Sequence, residues 1–232
     1  MPREFEIRKQ VDLDASLDAV WHAITTPEGL ATWFMPMPMD PEGDMVVAWE
    51  PGKRLRIEMP TGPDGASQAF EYLIEARGGG SAVLRFVHSG FIGDDDWSDE
   101  FEPMTSAGWD QYLFTLAQYF RSFAGRPAMY VEAEAPPNAA TPEAWARLLA
   151  ALGGVEEIGA AVGFDLASGP ITGSIDYLTA NFVGIRTDDA LVRFHGRWPI
   201  GMTLAVSHHA YAAIDTGALT AAWTDWLARV FA

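Results

Sequence analysis

Residues 101–123, FEPMTSAGWDQYLFTLAQYFRSF, are dominated by helical periodicity. Four apolar residues are spaced at i, i+4, i+7 and i+11, on one side of a helix: Trp109, Leu113, Leu116 and Phe120. A helix with one apolar side must bury that side against another element. The pattern therefore predicts a long amphipathic helix that packs on the structure formed by the preceding residues.

The preceding residues predict an antiparallel sheet. Phe5, Ile7 and Val11 alternate with polar neighbours, as is typical of a half-buried strand. Two short helices are predicted next, one capped by Asp14 or Ser16 and one beginning at Thr26-Pro27-Glu28. Further strands are predicted at Met45–Trp49, Arg54–Met59, Phe70–Ala76 and Ala82–His88. This element order predicts an α+β domain, with a cavity where the curved sheet and the long helix diverge.

Two motifs carry a family resemblance. Residues 20–34, VWHAITTPEGLATWF, resemble the opening of the Hsp90-ATPase-activator-like (AHSA1-type) domains of the START/polyketide-cyclase (SRPBCC, Bet v 1-like) superfamily. Residues 87–91, VHSGF, followed by Gly108-Trp109, are similar to the end of the same domains. The resemblance spans residues 4–123 and implies a helix-grip fold, in which a curved antiparallel sheet wraps a long C-terminal helix around an internal pocket. The chain departs from the family at residues 35–44, where a Met- and Pro-rich loop replaces the usual glycine-rich strand pair.

The second half of the chain echoes the first. We predict a helix-grip domain at residues 1–126, a linker at 127–138 and a second α+β domain at 139–232. The echo consists of four matches: Phe70–Leu73 with Ile175–Leu178, Ala82–His88 with Ala190–His195, Trp109 and Leu113 with Trp223 and Leu227, and Thr-Pro-Glu at 26–28 and 141–143. Two interpretations stay open, a degenerate helix-grip repeat or a different α+β domain with similar amphipathic patterns.

Charge and composition exclude several function classes. The chain has 32 acidic and 15 basic residues, a net charge of −17, and no basic cluster that would bind phosphates. Nucleic-acid binding and adhesion to anionic membranes are therefore not expected. No cysteine is present, which removes disulfides and thiolate chemistry. Neither a signal peptide nor a stretch of 18 apolar residues is found, so a cytoplasmic location is expected.

Histidines and acids offer few candidates for chemistry. His88, at a strand end, is a candidate general acid or base, although a solvated or backbone-bonded histidine is the simpler interpretation. His208 and His209 point to opposite sides of a strand, so they do not share a metal. Residues 94–96, three aspartates, lack the spacing of an EF-hand and are interpreted as a solvated loop. No metal, cofactor or catalytic residue is predicted.

The predicted cavity supports a binding function. Ten residues are expected to contact a small apolar or aromatic ligand: Trp33, Phe34, Met35, Met37, Phe70, Tyr72, Phe86, His88, Trp109 and Tyr112. The first four of these residues are expected at the cavity mouth. The first hypothesis is a binding module that needs no catalysis. The alternatives are a cyclase- or hydrolase-like enzyme that uses a pocket histidine or tyrosine, and a chaperone-cofactor-like module that binds a protein partner through its acidic surface.

Overall fold

The computed structural model describes residues 3–62, 65–92 and 98–232. The chain divides into two compact units, Met1–Gly125 and Arg126–Ala232, which we call unit 1 and unit 2. Among the described residues, no helix is both long enough and apolar enough to cross a membrane.

Unit 1 has an α+β fold with one antiparallel sheet. Its elements follow in this order: β1 (Arg3–Leu13), α1 (Leu17–Thr25), α2 (Pro27–Leu30), β2 (Val46–Glu50), β3 (Arg54–Glu58), β4 (Ser67–Ala76), β5 (Ala82–Ile92) and α3 (Ser98–Ser122). Within the described residues the sheet has the strand order β1-β5-β4-β3-β2. The predicted strands and helices of this unit all form, with ends that differ by a few residues.

Local side-chain chemistry sets the ends of the short helices. The Ser16 hydroxyl accepts a hydrogen bond from Ala19 N at 3.2 Å and caps α1, so Ser16 rather than Asp14 is the cap. The Thr26 hydroxyl caps α2 by accepting a bond from Gly29 N at 2.9 Å. A Cβ on Gly29 would lie 2.1 Å from His22 O, so only glycine permits this close approach of α2 to α1. This contact fixes the position of α2 against α1, and therefore the position of the residues that follow α2.

Helix α3 packs on one side of the sheet, as its periodicity predicts. Trp109, Leu113, Leu116 and Phe120 are all buried. Two ion pairs join the helix to the neighbouring strand β1, Arg3 with Asp99 at 2.8 Å and Lys9 with Asp110 at 2.7 Å. Because both pairs run in chain order, α3 and β1 have the same direction. The space between β5, β4 and α3 holds most of the predicted ligand-binding residues.

Unit 2 also has an α+β fold with one antiparallel sheet. Its elements are β6 (Met129–Glu134), α4 (Pro142–Ala151), β7 (Ala161–Leu166), β8 (Gly169–Leu178), β9 (Phe182–Arg186), β10 (Ala190–His195), β11 (Ala205–Ala210) and α5 (Thr216–Val230). The strand order is β6-β11-β10-β9-β8-β7 in the part of the chain that the structure describes. In both sheets the first strand pairs with the last, the other strands follow in reverse order, and a helix comes after the last strand.

The predicted linker at residues 127–138 is wrong. Residues 129–134 form β6, which pairs antiparallel with β11 from Met129 opposite Ala210 to Glu134 opposite Ala205. The segment alternates in burial, with Val131 and Ala133 buried and Glu132 and Glu134 exposed. Pro136 and Pro137 are typical of a linker, but they follow the strand and do not interrupt it.

Candidate ligand-binding site

His88 forms hydrogen bonds through both ring nitrogens. Nδ1 accepts a bond from Trp109 Nε1 on α3 at 3.0 Å, and Nε2 lies 3.2 Å from Gln68 Oε1 on β4. Because Nδ1 is an acceptor, the ring proton belongs on Nε2, which donates to Gln68. His88 is 3% exposed, and this burial lowers its pKa to about 4. The imidazole is therefore neutral near pH 7 and joins β4, β5 and α3.

Aromatic rings surround this polar group. The Phe70 ring stacks on His88 at 4.4 Å, and Phe5 meets the imidazole edge-on at 5.0 Å. Phe86 lies 4.1 Å from the Trp109 ring. These contacts exclude water from the hydrogen bonds of His88, which strengthens them.

The structure brings eight of the ten predicted residues into one network of ring contacts. We call these residues the aromatic cluster: Trp33, Phe34, Phe70, Tyr72, Phe86, His88, Trp109 and Tyr112. Met35 and Met37 lie outside it, with 38% and 36% of their surfaces exposed. Trp33 was expected at a cavity mouth, but it is fully buried and donates its Nε1 hydrogen to Ala23 O at 2.9 Å. Its indole anchors the chain after α2 to α1.

Phe34 has a different environment from its neighbour Trp33. Its ring stacks on Trp109 at 5.7 Å with an interplanar angle of 17°, and it meets Tyr112 edge-on at 4.7 Å. It is only partly buried, and residues 35–45 after it contain no helix or strand. Phe34 therefore lies between the aromatic cluster and an irregular, Met-rich segment.

Tyr72 carries a hydroxyl group without a protein partner. Its side chain is 7% exposed and lies on the α3 side of β4, with its ring 5.0 Å from that of Phe86. Among the described residues, none forms a hydrogen bond with this hydroxyl. Burial raises the pKa of Tyr72 well above its usual value, so the group stays protonated. It is a neutral hydrogen-bonding group beside Phe86, and its oxygen is not among the fully buried unpaired atoms of the described residues.

Sequence reasoning missed Gln68. Its position was detectable, because Gln68 lies two residues before Phe70 on β4 and therefore on the same side of the sheet. The reason to select it was not detectable, because its partner His88 is 20 residues away and is joined to it only by the register of β4 with β5.

Unit 2 contains a second tryptophan–histidine hydrogen bond. Trp223 Nε1, on α5, donates to His208 Nδ1, on β11, at 3.2 Å. Burial lowers the pKa of His208 to about 4. The predicted opposite orientation of His208 and His209 agrees with their contacts, since the His209 ring lies 5.2 Å from Tyr130 instead. No group of histidines and acids suited to a metal is found among the described residues, and the aspartates at 94–96 lie outside them.

The echo in the sequence matched two strands that have different positions in their sheets. It matched β5 with β10 and so His88 with His195, but the strand that pairs with the first strand of unit 2 is β11. His195 forms a different contact, with its Nε2 3.1 Å from Ser207 Oγ. The Trp109 and Trp223 match, in contrast, joins two residues with the same hydrogen bond.

Lowering the pH is expected to destabilise the protein through its buried histidines. Burial lowers the pKa to about 4 for His88 and His208 and to about 3 for His195, whereas the unfolded value is 6.5. Below pH 6.5 the unfolded chain therefore binds protons that the folded chain does not. Each histidine should reduce the free energy of unfolding by about 1.4 kcal/mol per pH unit below pH 6.5, and none should contribute above about pH 7.5.

Urea unfolding between pH 7.5 and pH 5 measures this dependence. The His88→Gln variant should have a shallower slope than the wild-type protein, because it lacks one of these groups. His22→Gln is the control for replacing a histidine with glutamine, since His22 is exposed. Equal slopes for the wild-type protein and His88→Gln would contradict a neutral, buried His88.

Comparisons with solved structures find distant likenesses. The chain is similar to an Aha1 dimer protein from Colwellia psychrerythraea, with 18% identity over 52% of this chain and 99% of that chain and a TM-score of 0.41. It is similar to protein MLL2253 from Mesorhizobium loti, with 21% identity over 52% and 98% of the two chains and a TM-score of 0.41. DynU16, from the dynemicin biosynthetic locus, is similar over 97% of this chain and 96% of its own, with 20% identity and a TM-score of 0.40.

No family model matches the chain, and no curated protein matches it. With TM-scores of 0.40 and 0.41, the structural likenesses assign no function.

Proposed function

We propose that unit 1 is an AHSA1-type helix-grip domain that binds a small apolar or aromatic ligand between its sheet and α3. The strand order and the motifs at residues 20–34 and 87–91 support the fold assignment. The observation that carries the function is the Tyr72 hydroxyl, whose ring contacts Phe86 of the aromatic cluster and which has no hydrogen-bond partner among the described residues.

The Tyr72 hydroxyl is free to bond to a ligand. Its oxygen is not among the fully buried unpaired atoms of the described residues, so it keeps a small contact with solvent. The other polar groups of the cluster are already paired, since His88 and the Trp109 indole bond to each other. A ligand with a carbonyl or hydroxyl group would supply the partner that Tyr72 lacks, and its apolar part would contact the surrounding rings.

The site favours binding over catalysis. Both nitrogens of His88 are already hydrogen-bonded, and its lowered pKa makes it a poor base near pH 7. The raised pKa of Tyr72 likewise prevents it from forming a phenolate nucleophile. A cyclase- or hydrolase-like activity would need a proton donor or acceptor outside this pair. Native mass spectrometry of protein purified from its own host tests the binding function, because a retained small molecule supports it.

Tyr72→Phe is expected to weaken binding of 2-naphthol about fivefold and to leave binding of naphthalene unchanged. The two probes have the same rings, but only 2-naphthol can form a hydrogen bond with Tyr72, and one such bond contributes about 1 kcal/mol. The variant should be about as stable as the wild-type protein, because the hydroxyl makes no hydrogen bond to a described residue. Titrations of both probes followed by fluorescence measure the affinities.

Tyr130→Phe is the matched control, because its hydroxyl bonds to the exposed Glu132 at 2.8 Å in unit 2. It should bind both probes as the wild-type protein does. A Tyr72→Phe variant that unfolds more easily would contradict the unpaired hydroxyl, and one that binds 2-naphthol normally would contradict its role in binding.

We also infer that unit 2 is a degenerate copy of unit 1. When His88 is aligned with His208, the strand registers align Gln68 with Ala190, Tyr72 with Phe194 and Phe86 with Val206. On the following helices Trp109 aligns with Trp223 and Leu113 with Leu227. The copy keeps the tryptophan–histidine hydrogen bond and replaces Gln68 and Tyr72 with apolar residues. The ligand site is therefore assigned to unit 1 alone.

A further inference from the structure

The Phe34 ring packs against two residues of α3. It lies nearly parallel to Trp109 and edge-on to Tyr112, with centroid distances of 5.7 and 4.7 Å. The Trp109 and Tyr112 rings also contact each other, with centroids 5.7 Å apart, so Phe34 lies against this pair and not between its members. Stacked and edge-to-face pairs are the two arrangements that aromatic rings prefer. A side chain of the protein therefore occupies a stacking position on Trp109 that another flat ring could take.

The backbone allows this side chain to leave without unfolding α2. Phe34 N donates to Leu30 O at 2.7 Å, which ends the hydrogen-bonded turn, and the preceding Trp33 is anchored to Ala23 O. After Phe34 the chain has no helix or strand until Val46. A rotation at Phe34 would disturb its three ring contacts, with Trp33, Trp109 and Tyr112, and leave the hydrogen bond of Trp33 to Ala23 O intact.

The next residues are apolar and exposed. Met35 and Met37 have more than a third of their surfaces accessible, although methionine side chains are adaptable and pack readily on flat rings. They would cover a ligand that replaces the Phe34 ring. We call residues 34–37 the Phe34 segment.

The charge of the site restricts the ligand. His88 is neutral, and Lys9, which is aligned with Phe86 across β1 and β5, is already paired with Asp110 at 2.7 Å. No described cation of the site is left to bind an anionic ligand. A flat, uncharged ring system meets these conditions.

We propose that the Phe34 ring occupies the position of the ligand. An uncharged planar aromatic molecule then binds by displacing the Phe34 ring and stacking on Trp109. The Phe34 segment then closes over the molecule. This proposal rests on the ligand-binding function of unit 1, and it adds the ligand's shape and the residue with which it competes.

Stopped-flow fluorescence with naphthalene and 2-naphthol tests the displacement. In the wild-type protein the observed binding rate should level off at high probe concentration, because Phe34 must leave first. Phe34→Leu removes the ring and keeps an apolar side chain. It should bind both probes about two- to tenfold more tightly, since the probe no longer competes with a stacked ring, and its rate should rise linearly with concentration.

Phe91→Ala is the matched control, because Phe91 is an exposed phenylalanine on the other side of β5 from His88. Its binding should equal that of the wild-type protein. A second variant, Phe34→Ala, should show the same direction of change as Phe34→Leu, and circular dichroism establishes that each variant is folded.

Two failures are distinguishable. If the wild-type protein binds the probes and both Phe34 variants bind them equally or less tightly, Phe34 is a wall of the site and the displacement is wrong, while the binding function survives. If neither the wild-type protein nor the Phe34 variants bind either probe, both proposals are wrong.

Discussion

Replacing Trp109 with alanine is expected to lower the free energy of unfolding by about 3–5 kcal/mol, the usual cost of removing a buried tryptophan. The side chain is 6% exposed, and its indole donates to His88 Nδ1 at 3.0 Å. Its ring also contacts Phe34 and Phe86. The substitution would remove packing and leave a buried histidine nitrogen without its donor. Urea unfolding monitored by circular dichroism measures the loss.

Trp223→Ala is the matched control in unit 2. It removes a fully buried tryptophan with the same kind of histidine bond, so its stability loss should be similar. The milder pair Trp109→Phe and Trp223→Phe separates stability from binding, because each keeps a six-membered ring and loses the indole donor and part of the aromatic surface. Trp109→Phe should weaken naphthalene binding, and Trp223→Phe should not. Equal effects of the two variants on binding would contradict a single ligand site in unit 1.

Replacing Asp176 with alanine is expected to cost about 3–5 kcal/mol as well, for an electrostatic reason. Asp176 accepts two hydrogen bonds from the Arg193 guanidinium, at 2.8 and 3.0 Å. The Arg193 side chain is 1% exposed, so the substitution would leave a positive charge buried without its carboxylate. Gly184 makes room for this pair, because a Cβ there would lie 2.5 Å from Arg193 Nη1.

The double variant Asp176→Ala with Arg193→Met tests this explanation. It removes the charge together with its partner, so it should recover much of the stability that Asp176→Ala loses. Arg8→Ala is the control, since it breaks an exposed pair with Glu6 and should change the urea midpoint little. A double variant that is less stable than Asp176→Ala would show that Arg193 contributes mainly through packing and its backbone hydrogen bonds.

Part of the site was predictable from sequence. The alternation that puts Phe70 and Tyr72 on one side of β4, and the helical spacing of Trp109 and Tyr112, are local patterns that need no knowledge of the fold. They were sufficient to select eight residues of the aromatic cluster. The same reasoning misplaced Trp33 at a cavity mouth, because periodicity indicates which side of an element is apolar and not how deeply a residue is buried.

The sequence alone determined the elements of unit 1, because helix caps, alternation and the apolar stripe of α3 act within a few residues along the chain. The tertiary structure decided which strands pair, and therefore which distant residues meet. Register joins His88 to Gln68, leaves the Tyr72 hydroxyl without a partner among the described residues, and brings His208 rather than His195 to Trp223. A one-residue slip of a strand reverses the side on which every residue lies, so these contacts depend on the packing of the whole sheet.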